Sequence, residues 1–210
     1  LVADLWKAAG ADRIMSVDLH AAQIQGFFDG PVDHLFAKPV LLEYFERTLS
    51  AEDRADLTVV SPDTGRVRVA DTWSDSLGAP LAIIHKRRDP NVANQITVNE
   101  IVGHVDGRVC LLVDDMIDTG GTIVKAAQAL KKSGAKKVIV AATHAIFSDP
   151  AAERLQDVSI DEVVVTDSVP IPEEKRFASL TILPIAPLLA RAVHEVFEDG
   201  SVTSMFDGAA

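Results

Sequence analysis

The segment 111–122, LLVDDMIDTGGT, combines carboxylates with a turn of small residues. Asp114 and Asp115 end an apolar run, and Asp118 precedes Thr-Gly-Gly-Thr. Glycine lets the backbone approach an oxyanion closely, and threonine adds a hydroxyl group. The helix predicted from residue 121 to residue 133 contributes its unpaired N–H groups and the positive end of its dipole. Such a loop can hold a sugar phosphate, with the phosphate on the backbone and the carboxylates on the sugar hydroxyls or a metal ion.

The alternative for this segment is an ordinary strand-to-helix turn with Asp118 or Thr119 as the N-cap. That alternative accounts for one Asp and one Thr, whereas residues 114–118 hold three carboxylates. Because successive side chains on a strand point to opposite faces, we expect Asp114 and Asp115 to have different partners.

A second candidate is the turn after a predicted strand that ends in Ser-Pro, at SPDTGRVRVA. Asp63 precedes Thr64 and Gly65, and Arg66 and Arg68 accompany the start of the predicted helix that follows. This turn suits a diphosphate supplied with positive charge, and Asp63 could accept a metal that bridges phosphates. An N-cap followed by a solvated helix face is the equal alternative.

Two further segments carry polar groups after predicted strands. Asp18 and His20 in SVDLHAAQ could hold a divalent metal through carboxylate and imidazole, although a polar cap with a satisfied histidine explains them as well. Lys86, Arg87 and Arg88 in IHKRRDPNVANQ precede a predicted long loop. Adjacent cations gain most when a polyanion arrives, so this loop suits a lid that stabilises charge in a transition state; a solvated basic loop is the alternative.

Alternating strand and helix patterns must position these residues. The predicted strands are Arg13–Val17, Leu57–Ser61, Leu81–His85, Val109–Val113, Lys137–Ala142, Glu162–Val165 and Leu180–Leu183. The predicted helices are Leu1–Ala9, Pro39–Leu49, Val67–Leu77, Gly121–Ser133, Pro150–Gln156 and Ile185–Glu198. The alternation predicts an α/β fold with a mostly parallel sheet and helices on both faces. Ligands bind beyond the carboxyl ends of such strands, which is where the candidate motifs fall.

The composition of the chain argues against some classes of binding partner. The net charge of −11 argues against nucleic acid, whose phosphates need a basic face. No apolar run approaches the roughly 18 residues of a membrane span, no signal peptide pattern is present, and the single Cys110 lies in an apolar strand. These features predict a cytoplasmic protein with a buried thiol and without a membrane partner.

The motifs together resemble the ribose-phosphate pyrophosphokinases, also called phosphoribosyl pyrophosphate synthetases, of class I. The matching segments are VDLHAAQIQGFFDGPVDHL, SPDTGRVRVA, HKRRDPNVANQ, VDDMIDTGGT and GSVTSMF, in family order and spacing. The Gly-Arg pair after Asp63 and the segment SDPAAERL are similar to the actinobacterial branch. The resemblance implies a phosphoribosyltransferase-like fold and transfer of the β,γ-diphosphoryl group of ATP to the 1-hydroxyl of ribose 5-phosphate, with Mg²⁺ required.

The resemblance also assigns roles to residues. Lys86 and Arg88 match the flexible-loop cations that stabilise the transferring group, and His20 and Asp63 match metal positions. The matched ribose 5-phosphate residues are Asp114, Asp115, Asp118, Thr119, Gly120, Gly121 and Thr122. The matched ATP or diphosphate residues are His20, Asp63, Thr64, Gly65 and Arg66. Arg66 replaces a usual second glycine, so its side chain is expected to act where bare backbone would.

The resemblance further implies a domain plan and an assembly. Residues 1–38 are expected to be the remnant of an amino-terminal domain, residues 39–200 a catalytic domain, and residues 201–210 a tail. Family members are about half as long again, so the amino-terminal third with the adenine pocket is expected to be absent, and this chain alone is expected to be inactive. A hexamer, with inorganic phosphate and ADP as regulators, is also implied. Ala22, His34 and Thr203 depart from the residues usual near the regulatory site or in the tail.

Two other functions remain in competition. A non-catalytic regulatory homologue would be signalled by loss of Lys86, Arg88 or the carboxylate pair, and all are present. A nucleobase phosphoribosyltransferase would share VDDMIDTGGT, but it has no use for the basic lid, and no nucleobase hood segment is found.

Overall fold

The computed structural model describes residues 1–87 and 98–206, which form two compact units. One unit is Leu41–Leu183; the other joins Leu1–Val40 to the segment from Pro184 onward. In the part of the chain described, no helix is both long and apolar enough to cross a membrane.

The larger unit is built on a seven-stranded sheet in the order β5-β4-β3-β6-β7-β8-β9. All neighbours are parallel except β5, which runs antiparallel to β4 at the edge of the sheet. The strands are β3 (Leu57–Ser61), β4 (Leu81–Arg87), β5 (Val98–Val102), β6 (Val109–Ile117), β7 (Lys137–Ala145), β8 (Glu162–Thr166) and β9 (Leu180–Leu183).

Helices cover both faces of this sheet. They are α2 (Lys38–Thr48), α3 (Ala51–Ala55), α4 (Val67–Leu77), α5 (Gly121–Lys132) and α6 (Ala151–Arg154), with a single 3-10 turn at Glu173–Lys175. Successive β6 residues alternate between two buried clusters: Cys110 and Leu112 pack with α5, whereas Leu111 and Val113 pack with α2 and α4. The central strands are therefore apolar on both faces, as a covered parallel sheet requires.

The smaller unit contains a two-stranded parallel sheet of β1 (Ile14–Val17) and β2 (Val32–Leu35). Its helices are α1 (Val2–Ala8) and α7 (Ala186–Phe197), with 3-10 turns at Ala22–Phe27 and Val202–Phe206. Its core joins Leu35, Ala192, Val202 and Phe206. Segments from both ends of the chain thus share one core, while the apolar face of α1 is exposed.

The predicted α/β class, with a mostly parallel sheet and helices on both faces, is confirmed. The predicted division at residue 38 lies close to the boundary between units, which falls within α2. The predicted domain plan stays a prediction; in the structure, residues 184–200 group with the smaller unit. Their helix α7 clusters with the smaller unit, because Ala192 is buried against Leu35 and the 3-10 turn that follows α7.

Candidate functional site

Two turns of the larger unit lie at the same edge of the sheet. The turn 62–66 follows β3, and the loop 118–120 follows β6. The two strands are parallel neighbours, with Val60 paired to Leu112 as their last register position. Their carboxyl ends therefore bring the predicted diphosphate turn and the predicted sugar-phosphate loop together.

Arg66 joins these two segments. Its guanidinium lies 2.6 Å from Asp115 Oδ1 through one terminal nitrogen and 3.4 Å from Asp114 Oδ1 through Nε. The Asp115 carboxylate is nearly buried, with 8% of the side chain exposed. Burial and, after it, the neighbouring Asp115 together raise the pKa of Asp114 to about 7 against the opposing charge of Arg66. The pair of carboxylates therefore depends on a cation to hold two negative charges.

The expectation of different partners for Asp114 and Asp115 is wrong, because both contact Arg66. Pairing between β3 and β6 stops at Leu112, so residues beyond that position are beside the turn after β3 rather than beside the strand. A long guanidinium entering from that side can reach two successive side chains.

The turn after β3 is closed by its own carboxylate. Asp63 Oδ1 accepts hydrogen bonds from the backbone N–H groups of Gly65, at 2.8 Å, and Arg66, at 3.1 Å. The Asp63 carboxylate thus occupies the position that an anion would take at the start of α4. The N-cap of α4 is Arg66, whose side chain makes no capping hydrogen bond, so these two donors belong to the turn and not to a helix cap; Thr64 in the turn is exposed. Among the described residues, Asp63 Oδ2 accepts no hydrogen bond, which leaves this oxygen for a metal.

The loop after β6 has the backbone of an anion site. Gly120 adopts the left-handed conformation, with φ +71°, and is the N-cap of α5. A left-handed residue directly before a helix turns successive N–H groups toward one point. Asp118, Thr119 and Thr122 are exposed around this loop. The predicted phosphate loop thus lies directly at the start of helix α5.

The cationic segment follows β4, the neighbour of β3. β4 runs to Arg87, two residues beyond the predicted end at His85, because β5 pairs with it up to Arg87↔Val98. The backbone of Lys86 lies on this strand, opposite Asn99. Arg88 lies outside the described residues.

His20 belongs to the smaller unit, in an exposed turn after β1. The turn is held by two bonds: Ala37 N–H donates to Asp18 Oδ2, and Leu19 N–H donates to His34 Nε2, each at 2.9 Å. Asp18 has φ +41°, so its carboxylate stabilises an unusual backbone rather than facing outward for a ligand. Burial lowers the pKa of His34, which favours the neutral ring that accepts this bond.

Within residues 1–87 and 98–206, no group of three His, Cys, Asp or Glu side chains is arranged to hold a metal ion. The oxygen donors of the site are the carboxylates of Asp63, Asp114 and Asp115. Mg²⁺ favours such oxygen donors and is usually held by one or two carboxylates together with substrate phosphates. Asp63, whose Oδ2 accepts no hydrogen bond among the described residues, could supply one such carboxylate, and the substrate would have to supply the other ligands.

Sequence reasoning missed one cation at the loop. Arg154, the last residue of α6, donates a hydrogen bond from its terminal nitrogen to the Thr119 carbonyl oxygen at 3.1 Å. In the sequence, Arg154 stood out only as part of the segment SDPAAERL. Nothing in the local pattern indicated that this segment packs against the loop after β6.

The fold defines an α/β protein whose parallel sheet places the two predicted anion-binding turns at the ends of neighbouring strands. Residues 89–207 match the family described as the phosphoribosyl synthetase-associated domain, and the chain belongs to that family. The predicted membership is thereby confirmed.

Named relatives agree. The chain is 64% identical over 207 residues to a ribose-phosphate pyrophosphokinase of Streptomyces avermitilis, covering 99% of this chain and 63% of the relative. It is 57% identical over 211 residues to the enzyme of that name from Mycobacterium leprae, covering 100% of this chain and 64% of the relative. These relatives confirm the actinobacterial likeness.

A solved structure shows the same fold. The crystal structure of phosphoribosylpyrophosphate synthetase from Mycobacterium smegmatis is 57% identical, with a TM-score of 0.85, over 95% of this chain and 63% of that chain. The chain therefore spans less than two thirds of the length of these similar proteins.

Proposed function

We propose that the chain forms the ribose 5-phosphate side of a ribose-phosphate pyrophosphokinase. The enzyme would transfer the β,γ-diphosphoryl group of ATP to the 1-hydroxyl of ribose 5-phosphate, giving phosphoribosyl pyrophosphate and AMP. The observation that carries this proposal is the Arg66 bridge, which joins the diphosphate turn to the Asp114–Asp115 pair. Transfer between two phosphorylated substrates requires two such turns to lie side by side.

The loop after β6 would bind the 5-phosphate. Its donors are the N–H groups around Gly120 and Gly121, with the Thr119 and Thr122 hydroxyls beside them. Asp114 and Asp115 would accept hydrogen bonds from the ribose hydroxyls, and Asp118 would orient the loop. Ribose binding then competes with Arg66 for the same carboxylate oxygens, and a displaced guanidinium would be free to contact diphosphate.

The turn after β3 would take the diphosphate of ATP. Gly65 and Arg66 N–H groups are now satisfied by Asp63, so an incoming phosphate must replace that carboxylate. Thr64 would contact the ATP phosphates and Asp63 would hold the metal; the same two roles that the resemblance assigns to His20 stay predictions. When bound, Mg²⁺ would supply positive charge that offsets the charge of the phosphates.

Lys86 and Arg88 would stabilise the charge of the transferring group. The 1-hydroxyl oxygen attacks the β-phosphorus and its proton passes to solvent, while the bond from the β-phosphorus to the α,β-bridging oxygen breaks and AMP leaves with that oxygen. Charge accumulates on the transferring oxygens, where nearby cations act most strongly. The end of β4, adjacent to the diphosphate turn, supports this role for Lys86.

The proposal extends to assembly and regulation. A hexamer, a cytoplasmic location, and inorganic phosphate and ADP as regulators follow from the family resemblance. A cavity of about 160 Å³ in the smaller unit, lined by Gln25, Asp33, His34 and Thr203 among others, supports a regulatory site for a small polar ligand.

The test is AMP release from ATP and ribose 5-phosphate, measured with the Lys86→Ala variant in a chain extended to the length of the relatives. Loss of transition-state charge stabilisation should lower kcat on the order of 10³-fold with a modest change in KM. Lys132→Ala, which removes an exposed lysine at the carboxyl end of α5, is the control. Near-normal single-turnover rates in Lys86→Ala would refute the proposed role.

A further inference from the structure

Helix α6 packs against the phosphate loop. The Cα of Gly120 faces α6 closely, since a Cβ built at this position would lie 3.5 Å from Leu155 Cγ and 3.6 Å from Ala151 Cα. Ala151 and Leu155 are fully buried, so this support is fixed by the core. Arg154 lies between them in sequence and reaches the loop with its side chain.

The contact that Arg154 makes is with one peptide group of the loop. Its guanidinium donates to the Thr119 carbonyl oxygen at 3.1 Å. In a trans peptide, the C=O and the N–H of the next residue point in opposite directions. Holding the Thr119 carbonyl toward Arg154 therefore directs the Gly120 N–H away from it. Gly120, at φ +71°, can adopt this orientation with little strain.

Arg154 also differs from two cations of the segment that follows β8. Lys175, which contacts Phe147 O nearby, pairs with Asp149, and Arg176 pairs with Glu173. No carboxylate within the described ranges forms an ion pair with Arg154. Its single hydrogen bond goes to the backbone of the loop, and its charge remains uncompensated by the fold.

We propose that Arg154 is a positioning residue for the 5-phosphate of the substrate. It fixes the Thr119–Gly120 peptide so that the Gly120 N–H is presented to the phosphate, and it adds positive charge behind the loop. This inference rests on the proposed function, because it assumes that the loop binds ribose 5-phosphate. The consequence is that recognition of the 5-phosphate depends on α6 as well as on the TGGT sequence itself.

The test combines calorimetry with the amide NMR signals of Gly120 and Gly121 during titration with ribose 5-phosphate. Arg154→Met retains the apolar stem and removes the donors, so it serves beside Arg154→Ala in case the smaller side chain impairs folding. We expect about tenfold weaker binding in either variant and loss of most of the ligand-induced Gly120 shift. Arg154→Lys should recover both, since lysine retains the charge and a donor. Glu153→Ala, on the same helix, is the matched control.

The outcomes separate the two proposals. If the unmodified chain binds ribose 5-phosphate and Arg154→Met binds it equally, with the same Gly120 shift, the role of Arg154 is refuted and the proposed function stands. If the unmodified chain does not bind ribose 5-phosphate, the proposed function fails and the inference fails with it. Weaker binding in Arg154→Met, recovered in Arg154→Lys, supports both.

Discussion

At the scale of single residues, the site is a balance among three charged groups. Burial opposes ionisation of Asp114, and the adjacent Asp115 carboxylate opposes it further. The Arg66 guanidinium offsets part of this cost through contacts to both carboxylates. Removing one partner from such a buried group leaves the others with an uncompensated charge. The three side chains should therefore respond to pH and mutation as a unit.

The first prediction concerns stability and pH. The pKa of Asp114 rises from 3.8 in the unfolded reference to about 7, so the folded chain holds this proton more tightly. The resulting stability is present at low pH and is lost as pH rises through about 7. Asp114→Asn has no titrating group at this position and so lacks this loss. From low to high pH, the free energy of unfolding of the variant minus that of the unmodified chain should therefore increase by on the order of 2 kcal/mol.

Urea denaturation at several pH values would measure this difference. Asp71→Asn, at an exposed position on α4, is the control for the change in net charge. A constant difference between Asp114→Asn and the unmodified chain across the pH range would show that Asp114 does not carry a raised pKa.

The second prediction concerns Arg66. Because its charge lowers the pKa of Asp114 against the effects of burial and Asp115, Arg66→Gln should move this titration further upward, above about 7. Carboxyl carbon NMR shifts followed through a pH titration report the change directly. Arg68→Gln, also on α4 but exposed, should leave the signal in place. An unchanged or lowered Asp114 titration in Arg66→Gln would contradict the proposed balance.

At the scale of elements, the apolar strands of the sheet were readable from sequence because both of their faces are covered. The spans Leu57–Ser61, Val67–Leu77 and Leu180–Leu183 match the structure residue for residue. The edge strand β5 was missed, because it follows directly on a polar segment whose sequence predicts a long loop. β6 continues past its predicted end at Val113 because β7 pairs with it as far as Ile117.

The site, like the fold, was predictable from the sequence only in part. The anion loops themselves were predictable, since local turn chemistry specifies them. The contacts of Arg66 and Arg154 were not, because each depends on which strands are neighbours and where their pairing ends. Side-chain partners across a parallel sheet are set by register, which local sequence patterns do not encode.

The third prediction tests the edge formed by β4 and β5, the strand pair that carries Lys86. Gly103 has φ +116°, and a Cβ there would lie 2.8 Å from the Ala82 Cα. Gly103→Ala combines backbone strain with a backbone collision and should cost on the order of 2–4 kcal/mol in the free energy of unfolding.

The matched control is Gly78→Ala, at the end of α4. Gly78 also has a positive φ, +59°, but a Cβ there meets nothing within 4 Å, so strain alone should cost about 1 kcal/mol. Denaturant midpoints for the two variants provide the comparison. Equal destabilisation would show that the close approach of Gly103 to β4 is absent.

At the scale of the whole molecule, the negative net charge and the cations near the loop act in opposite directions on an anionic ligand. The chain carries 20 basic and 31 acidic residues, a net charge of −11, yet its proposed ligands are anions. Salt shortens the distance over which both the repulsion and the attraction act. The screening length is roughly 30 Å at 0.01 M salt and about 8 Å at 0.15 M. Repulsion by the whole chain should therefore be screened at lower salt than attraction by cations close to the loop, such as Arg154.

The final prediction follows from this difference in range. The association rate of ribose 5-phosphate should rise between about 0.01 M and about 0.15 M salt as the distant carboxylates are screened. Its equilibrium affinity should then fall toward about 1 M salt, where contacts near the loop are screened too. Line-shape analysis of the ³¹P NMR signal of the ligand measures both quantities. Arg154→Met should retain the initial rise, because net charge persists, and should show a shallower fall. A rate that decreases steadily from the lowest salt would show that the loop cations dominate even at long range, so that local charge alone governs the approach of the ligand.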